Sequence, residues 1–167
     1  MNYTTALRQS ATMEFAFQLY SLRDVEDPLT TVLDRVDATT FTGVEFVGFD
    51  GTRPPAVAET LAASGLAPAA AHVSLEEIEA DPDAVAATAR GVGYEDVVVP
   101  WLDPENFESI ATVEAAANRL SAAADALADR DLRFHYHNHD QESVSLDGRP
   151  ALAHLLEAAD GVGLELD

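Results

Sequence analysis

The feature that most constrains this chain is a regular alternation of strand-like and helix-like segments. Strand-like stretches fall at 14–20, 43–49, 67–73, 95–101, 131–139 and 161–167. Helix-like stretches fill the gaps at 27–39, 54–65, 74–93, 103–130 and 149–160. Five strand–helix units and a sixth strand, joined by short connections, predict a parallel sheet covered by helices. The clearest helix is 103–130, where Ile110, Val113, Ala117, Leu120, Ala124 and Leu127 share one face. Asp27 reads as an N-cap with Pro28 at the first helical position, and Gly65 as a helix stop. Asp81-Pro82 is a candidate break within 74–93. Two architectures fit: a doubly wound open sheet, or part of a (β/α)8 barrel. No glycine-rich phosphate loop of either common type follows a strand. That removes the best reason to choose the nucleotide-binding sheet.

Composition narrows the class. A chain of 167 residues with 47% apolar content suits one domain with a real core, here 1–167, in which 1–13 reads as an N-terminal extension. No apolar run is long enough for a membrane span, and the N-terminus lacks the pattern of a signal peptide. With no cysteine, thiolate metal ligands and disulfides are excluded. A cytoplasmic location is expected. Nine basic residues against thirty acidic ones give 9 − 30 = −21, and every basic residue is Arg. This acidic, lysine-free surface resembles those of haloarchaeal proteins, in which salt screens the self-repulsion. It also argues, weakly, against a nucleic-acid surface, which needs cations to displace phosphate counterions.

In a parallel barrel, alternate side chains of each strand face the lumen, and reactive groups gather at the C-terminal ends. On that pattern Gln18 and Tyr20 oppose Phe17 and Leu19; Glu45 opposes Val44 and Phe46; His72 ends the third strand. Arg133, His135 and His137 oppose Phe134 and Tyr136, while Gly163, Glu165 and Asp167 oppose Leu164 and Leu166. Polar groups at five strand ends are costly as core filling unless paired or metal-bound. The plainest alternative for Glu45 is an ion pair with Arg133. Trp101, at the end of the fourth strand, is a candidate pocket wall beside Gln18, Tyr20 and His72. His154 lies on a surface helix and is not a candidate. Fifth and sixth strands are neighbours, so His137 and Asp167 are expected to approach each other. Imidazole with carboxylate suits Mn, Zn, Co or Fe.

Five motifs in order, QLYSLRD (18–24), GVEFVGFDG (43–51), AHVSLEE (71–77), HYHNHDQE (135–142) and GLELD (163–167), resemble the sugar phosphate isomerase/epimerase family of the xylose isomerase-like superfamily. The resemblance implies a (β/α)8 TIM barrel, of which about six βα units are present. It implies one divalent metal in the lumen and a small-molecule sugar as substrate. It implies isomerase or epimerase chemistry, in which a proton moves beside a metal-bound carbonyl. Asp167 matches the family's ligand Asp. His137 stands where the family commonly has Glu, and Glu142 is the rival for that ligand position. His139, past the strand end, and Glu45 are the candidates for proton transfer.

About 250 residues is typical of a closed barrel, so two units and their ligands are expected outside this sequence. The expectation is a truncated product, or an arc completed by a second copy or another chain. Other readings keep the fold but change the chemistry: a dehydratase or lyase on oxidised sugars, or an abasic-site nuclease. A further one is an inactive remnant or binding subunit.

Overall fold

A computed structural model describes residues 14–167; the N-terminal extension expected at 1–13 lies outside the described residues. Six strands form one parallel sheet: β1 (Ala16–Gln18), β2 (Gly43–Phe46), β3 (Ala67–His72), β4 (Asp96–Val99), β5 (Arg133–His137) and β8 (Gly163–Glu165). They lie side by side in chain order. A doubly wound sheet reverses its order at a switch point; this one does not. It also curls. Laid flat, strands about 4.8 Å apart would hold the first and last of six roughly 24 Å apart. Instead Gln18 Nε2 on β1 donates to Glu165 Oε1 on β8 at 3.3 Å. The fold is therefore an α/β half-barrel of six strands, the second of the two architectures that the alternation allows.

The pleat sorts the side chains into two layers. Val44, Phe46, Val97, Val99, Phe134 and Tyr136 face outward and are buried under the helices. Those helices are α1 (Leu29–Asp37), α2 (Pro54–Ser64), α3 (Leu75–Ala80), α4 (Pro82–Val92), α5 (Ile110–Ala128) and α6 (Ala151–Ala158). Their core sides carry Leu33, Val57, Ala86, Leu120, Leu127 and Leu155, all fully buried. The alanine-rich β3 forms despite its low strand propensity. It packs so closely on β2 that a Cβ at Gly43 would stand 2.9 Å from the Ala67 carbonyl oxygen.

Local signals set the element ends, with three corrections to the expected ones. Asp27 does not cap α1; Pro28 occupies the N-cap, and Asp27 pairs with Arg35 at 2.7 Å. The long helix begins at Ile110 rather than 103. Asp103-Pro104 opens a separate 3-10 turn, and a Ser109/Thr112 capping box starts α5 afresh. The first strand ends at Gln18, and Tyr20 rides on a 3-10 turn over Leu19–Leu22. The break at Asp81-Pro82 is present: Asp81 accepts from Ala84 N at 2.9 Å, which ends α3 and starts α4. Gly65 closes α2 at φ 80°. A hairpin, β6 (Ser145–Leu146) and β7 (Arg149–Pro150), turns on Asp147-Gly148 ahead of α6. Among the described residues no helix is long and apolar enough to cross a membrane.

Candidate functional site

The lumen carries two polar layers. In the lower one, Asp96 receives Arg133 Nε at 2.7 Å and Arg133 Nη2 at 2.6 Å, and pairs with His135 Nε2 at 2.8 Å. The Arg133 guanidinium beside Asp96 holds that carboxyl below the usual carboxylate range, with His135 adding to the effect against the cost of burial. Arg133 is thus engaged at the N-terminal end of β5 and does not pair with Glu45. His135 belongs to this lower layer.

The upper layer lies at the C-terminal strand ends. His137 Nδ1 stands 2.7 Å from Glu165 Oε1, and His72 Nε2 stands 3.8 Å from that same oxygen. His72 Nε2 is also 2.7 Å from Glu45 Oε1, yet it is buried and has no aligned hydrogen bond. Gln18 Nε2 donates to Glu45 Oε1 at 2.8 Å, which turns that carboxylate toward the same point. Burial opposes a charge on His72, but the carboxylates of Glu165 and Glu45 outweigh it and raise the imidazole to about 9. Burial likewise opposes charge on Glu165, and here the neighbouring His72 and His137 win, lowering its carboxyl.

His72, His137 and Glu165 offer three donor atoms within 4.8 Å of one another. Two donors about 2.1 Å from a common ion stand about 3.4 Å apart in a tetrahedron. The observed 2.7 and 3.8 Å bracket that value. A buried imidazole nitrogen without an aligned partner, facing carboxylate oxygens, fits a site for a divalent ion. Two imidazoles and a carboxylate suit a borderline ion such as zinc rather than calcium.

The other candidates divide. Asp167 lies outside this trio, its Oδ2 3.8 Å from His137 Nε2 and its side chain 75% exposed. Glu142 is fully buried and accepts from the Tyr136 hydroxyl and from His139 N. Tyr136 faces the helices, so Glu142 is on the outer side of β5, away from the lumen. Gln18, Tyr20, His72, Trp101, His137 and His139 line an open pocket of about 240 Å³ over the trio. Trp101 and His139 rings meet edge to face at 4.7 Å, and His139 meets His137 at 4.8 Å. Arg23 stacks on the Tyr20 ring at 4.4 Å. His154 bonds to the Leu146 carbonyl, remote from the pocket. Glu165 was legible only as a polar residue on the lumen face. Its place beside His137 comes from register, because the two residues pair across β5 and β8.

No protein-family model and no curated protein matches this sequence. Solved structures do match. A sugar phosphate isomerase/epimerase from Parabacteroides distasonis is similar with a TM-score of 0.79 at 19% identity, over 95% of this chain and 67% of that one. What this chain shares with it is the fold, the curled parallel α/β half-barrel. A xylose isomerase domain protein from Alicyclobacillus acidocaldarius matches with a TM-score of 0.66 at 20% identity, over 92% of this chain and 62% of that one. The IOLI protein, described with a binding zinc atom, matches with a TM-score of 0.66 at 15% identity, over 91% of this chain and 62% of that one. The half-barrel thus corresponds to about two thirds of each relative's length.

Proposed function

We propose that this chain forms the metal-binding part of a sugar isomerase or epimerase. The observation that carries the proposal is the convergence of His72, His137 and Glu165 beneath the pocket bordered by Trp101 and His139. His72, His137 and Glu165 would hold a divalent ion, which supplies Lewis-acid polarisation of a bound carbonyl. Tyr20 and Trp101 provide flat apolar faces for the carbon side of a sugar ring. His139 borders the pocket directly and carries the proton at a ring nitrogen, removing it beside the carbonyl and returning it. Glu45 reaches the pocket only behind Gln18 and His72; it orients both through its shared oxygen.

The zinc-bound IOLI relative and the isomerase/epimerase relative support this reading through the shared fold. The test is metal analysis of the purified chain with zinc, manganese or cobalt, followed by a screen of ketoses for exchange of carbon-bound hydrogen with deuterated water. Stoichiometric binding and exchange that depends on the ion are expected. A folded chain that takes up none of these ions overturns the proposal.

A further inference from the structure

Glu142 is the one acidic side chain of the described residues that is fully buried, and the metal pocket makes no use of it. A buried carboxylate is costly unless donors meet it. Its two oxygens are divided between two donors. Oε1 accepts from the Tyr136 hydroxyl on the outer face of β5, and Oε2 accepts from the backbone N–H of His139 at 2.8 Å. The 3-10 turn that carries it, Gln141–Ser143, is tied across to the loop that follows β4, where Gln141 Nε2 donates to the Leu102 carbonyl at 3.1 Å. On the other side, Asn138 Oδ1 accepts from Asp167 N at 3.3 Å. His139 is therefore pinned from both flanks, and its ring lies between Trp101 and His137.

We infer that Glu142 is a positioning residue: it links the Tyr136 hydroxyl to the His139 backbone and so sets the His139 ring over the metal pocket. The inference rests on the reading that His139 serves that pocket, but the link itself is a property of the chain with or without an ion. The geometry suits a carboxylate well. Its two oxygens reach two separate donors, one each. Glutamine can replace it only if the Tyr136 hydroxyl turns to accept, whereas aspartate is one methylene too short to span both partners.

The test compares Glu142→Asp and Glu142→Gln with the parent chain. In metal-free protein, the histidine ring nitrogens are followed by long-range proton–nitrogen NMR, with His154 as the internal reference. Glu142→Asp is expected to shift and broaden the His139 signals while those of His154 stay in place, and Glu142→Gln to restore most of the parent spectrum. Zinc affinity is expected to change by less than about tenfold in both variants, below the range seen for losing an outer-shell partner. His139 signals that are unmoved in a folded Glu142→Asp overturn the inference. So does zinc affinity lost by more than about 100-fold in folded Glu142→Gln, which would make Glu142 a ligand. If the parent chain binds no zinc, the reading of the pocket fails, yet the metal-free spectra still decide the role of Glu142.

Discussion

His135 lies where a side chain at position 163 would stand: a Cβ built on Gly163 falls 2.3 Å from His135 Nδ1 and 3.3 Å from its Cγ. The obstruction is the body of the ring, which is itself held by Asp96 at 2.8 Å. The pair sits in register across β5 and β8. Gly163→Ala must therefore push the ring off Asp96 or spread the two strands. The expected loss is about 1–3 kcal/mol, typical of overpacking, read by chemical denaturation. In the His135→Ala background the same substitution should cost little; equal costs in both backgrounds would show that the ring is not the obstacle.

Two acids at the end of β8 differ in placement and so should differ in effect. Glu165 lies 2.7 Å from His137 and 3.8 Å from His72 and is mostly buried, whereas Asp167 approaches His137 alone, at 3.8 Å, from a side chain that faces solvent. Glu165→Gln, His72→Ala and His137→Ala are each expected to weaken zinc binding beyond about 100-fold, and Asp167→Asn by about tenfold or less, no more than the low end of the range for losing an outer-shell partner. Calorimetric titration of the four variants ranks them. The reverse order for Glu165 and Asp167 would move the ligand role to Asp167.

Asp96 links stability to acid pH. Its carboxyl is held below its ordinary value when folded, by Arg133 first and then His135. The unfolded chain therefore binds the proton more readily, and stability rises with pH across that window. The contribution is present above the unfolded carboxylate value, about 3.9, and is lost as pH falls through the lower folded value. Urea unfolding of the parent chain and Asp96→Asn should differ at pH 7 and converge toward pH 3. A constant difference over that range would mean the pair contributes no charge-dependent stability.

A formal charge of −21 on 167 residues makes stability depend on salt. The screening length falls from about 10 Å at 0.1 M to about 3 Å at 1 M. The melting temperature is expected to climb between 0.1 and 2 M KCl, most steeply at the low end. A flat or falling curve would remove the basis for reading the surface as adapted to high salt.

Much of the architecture was legible because its signals are local. Period-two and helical-period runs mark strands and helices, and Gly65 and Asp81-Pro82 punctuate them through backbone preferences that need no partner. Where a local signal failed, a neighbour had overridden it. Asp27 met Arg35 instead of capping α1, and Ser109 with Thr112 started α5 at Ile110, where the apolar periodicity itself begins, rather than at 103.

The site followed the same division. By itself the sequence determined that polar side chains occupy one face at the strand ends, because side-chain direction alternates residue by residue. That was enough to single out Gln18, Glu45, His72 and His137. Only the tertiary structure decided which of them meet. The curl of the sheet brings Gln18 within 3.3 Å of Glu165, 147 positions away, and the register of β5 on β8 sets Glu165 beside His137. Glu142, five residues beyond His137, turns outward to Tyr136 because its turn folds back over β5. Register and curl arise from packing six strands and their helices together, and no short stretch of sequence encodes them.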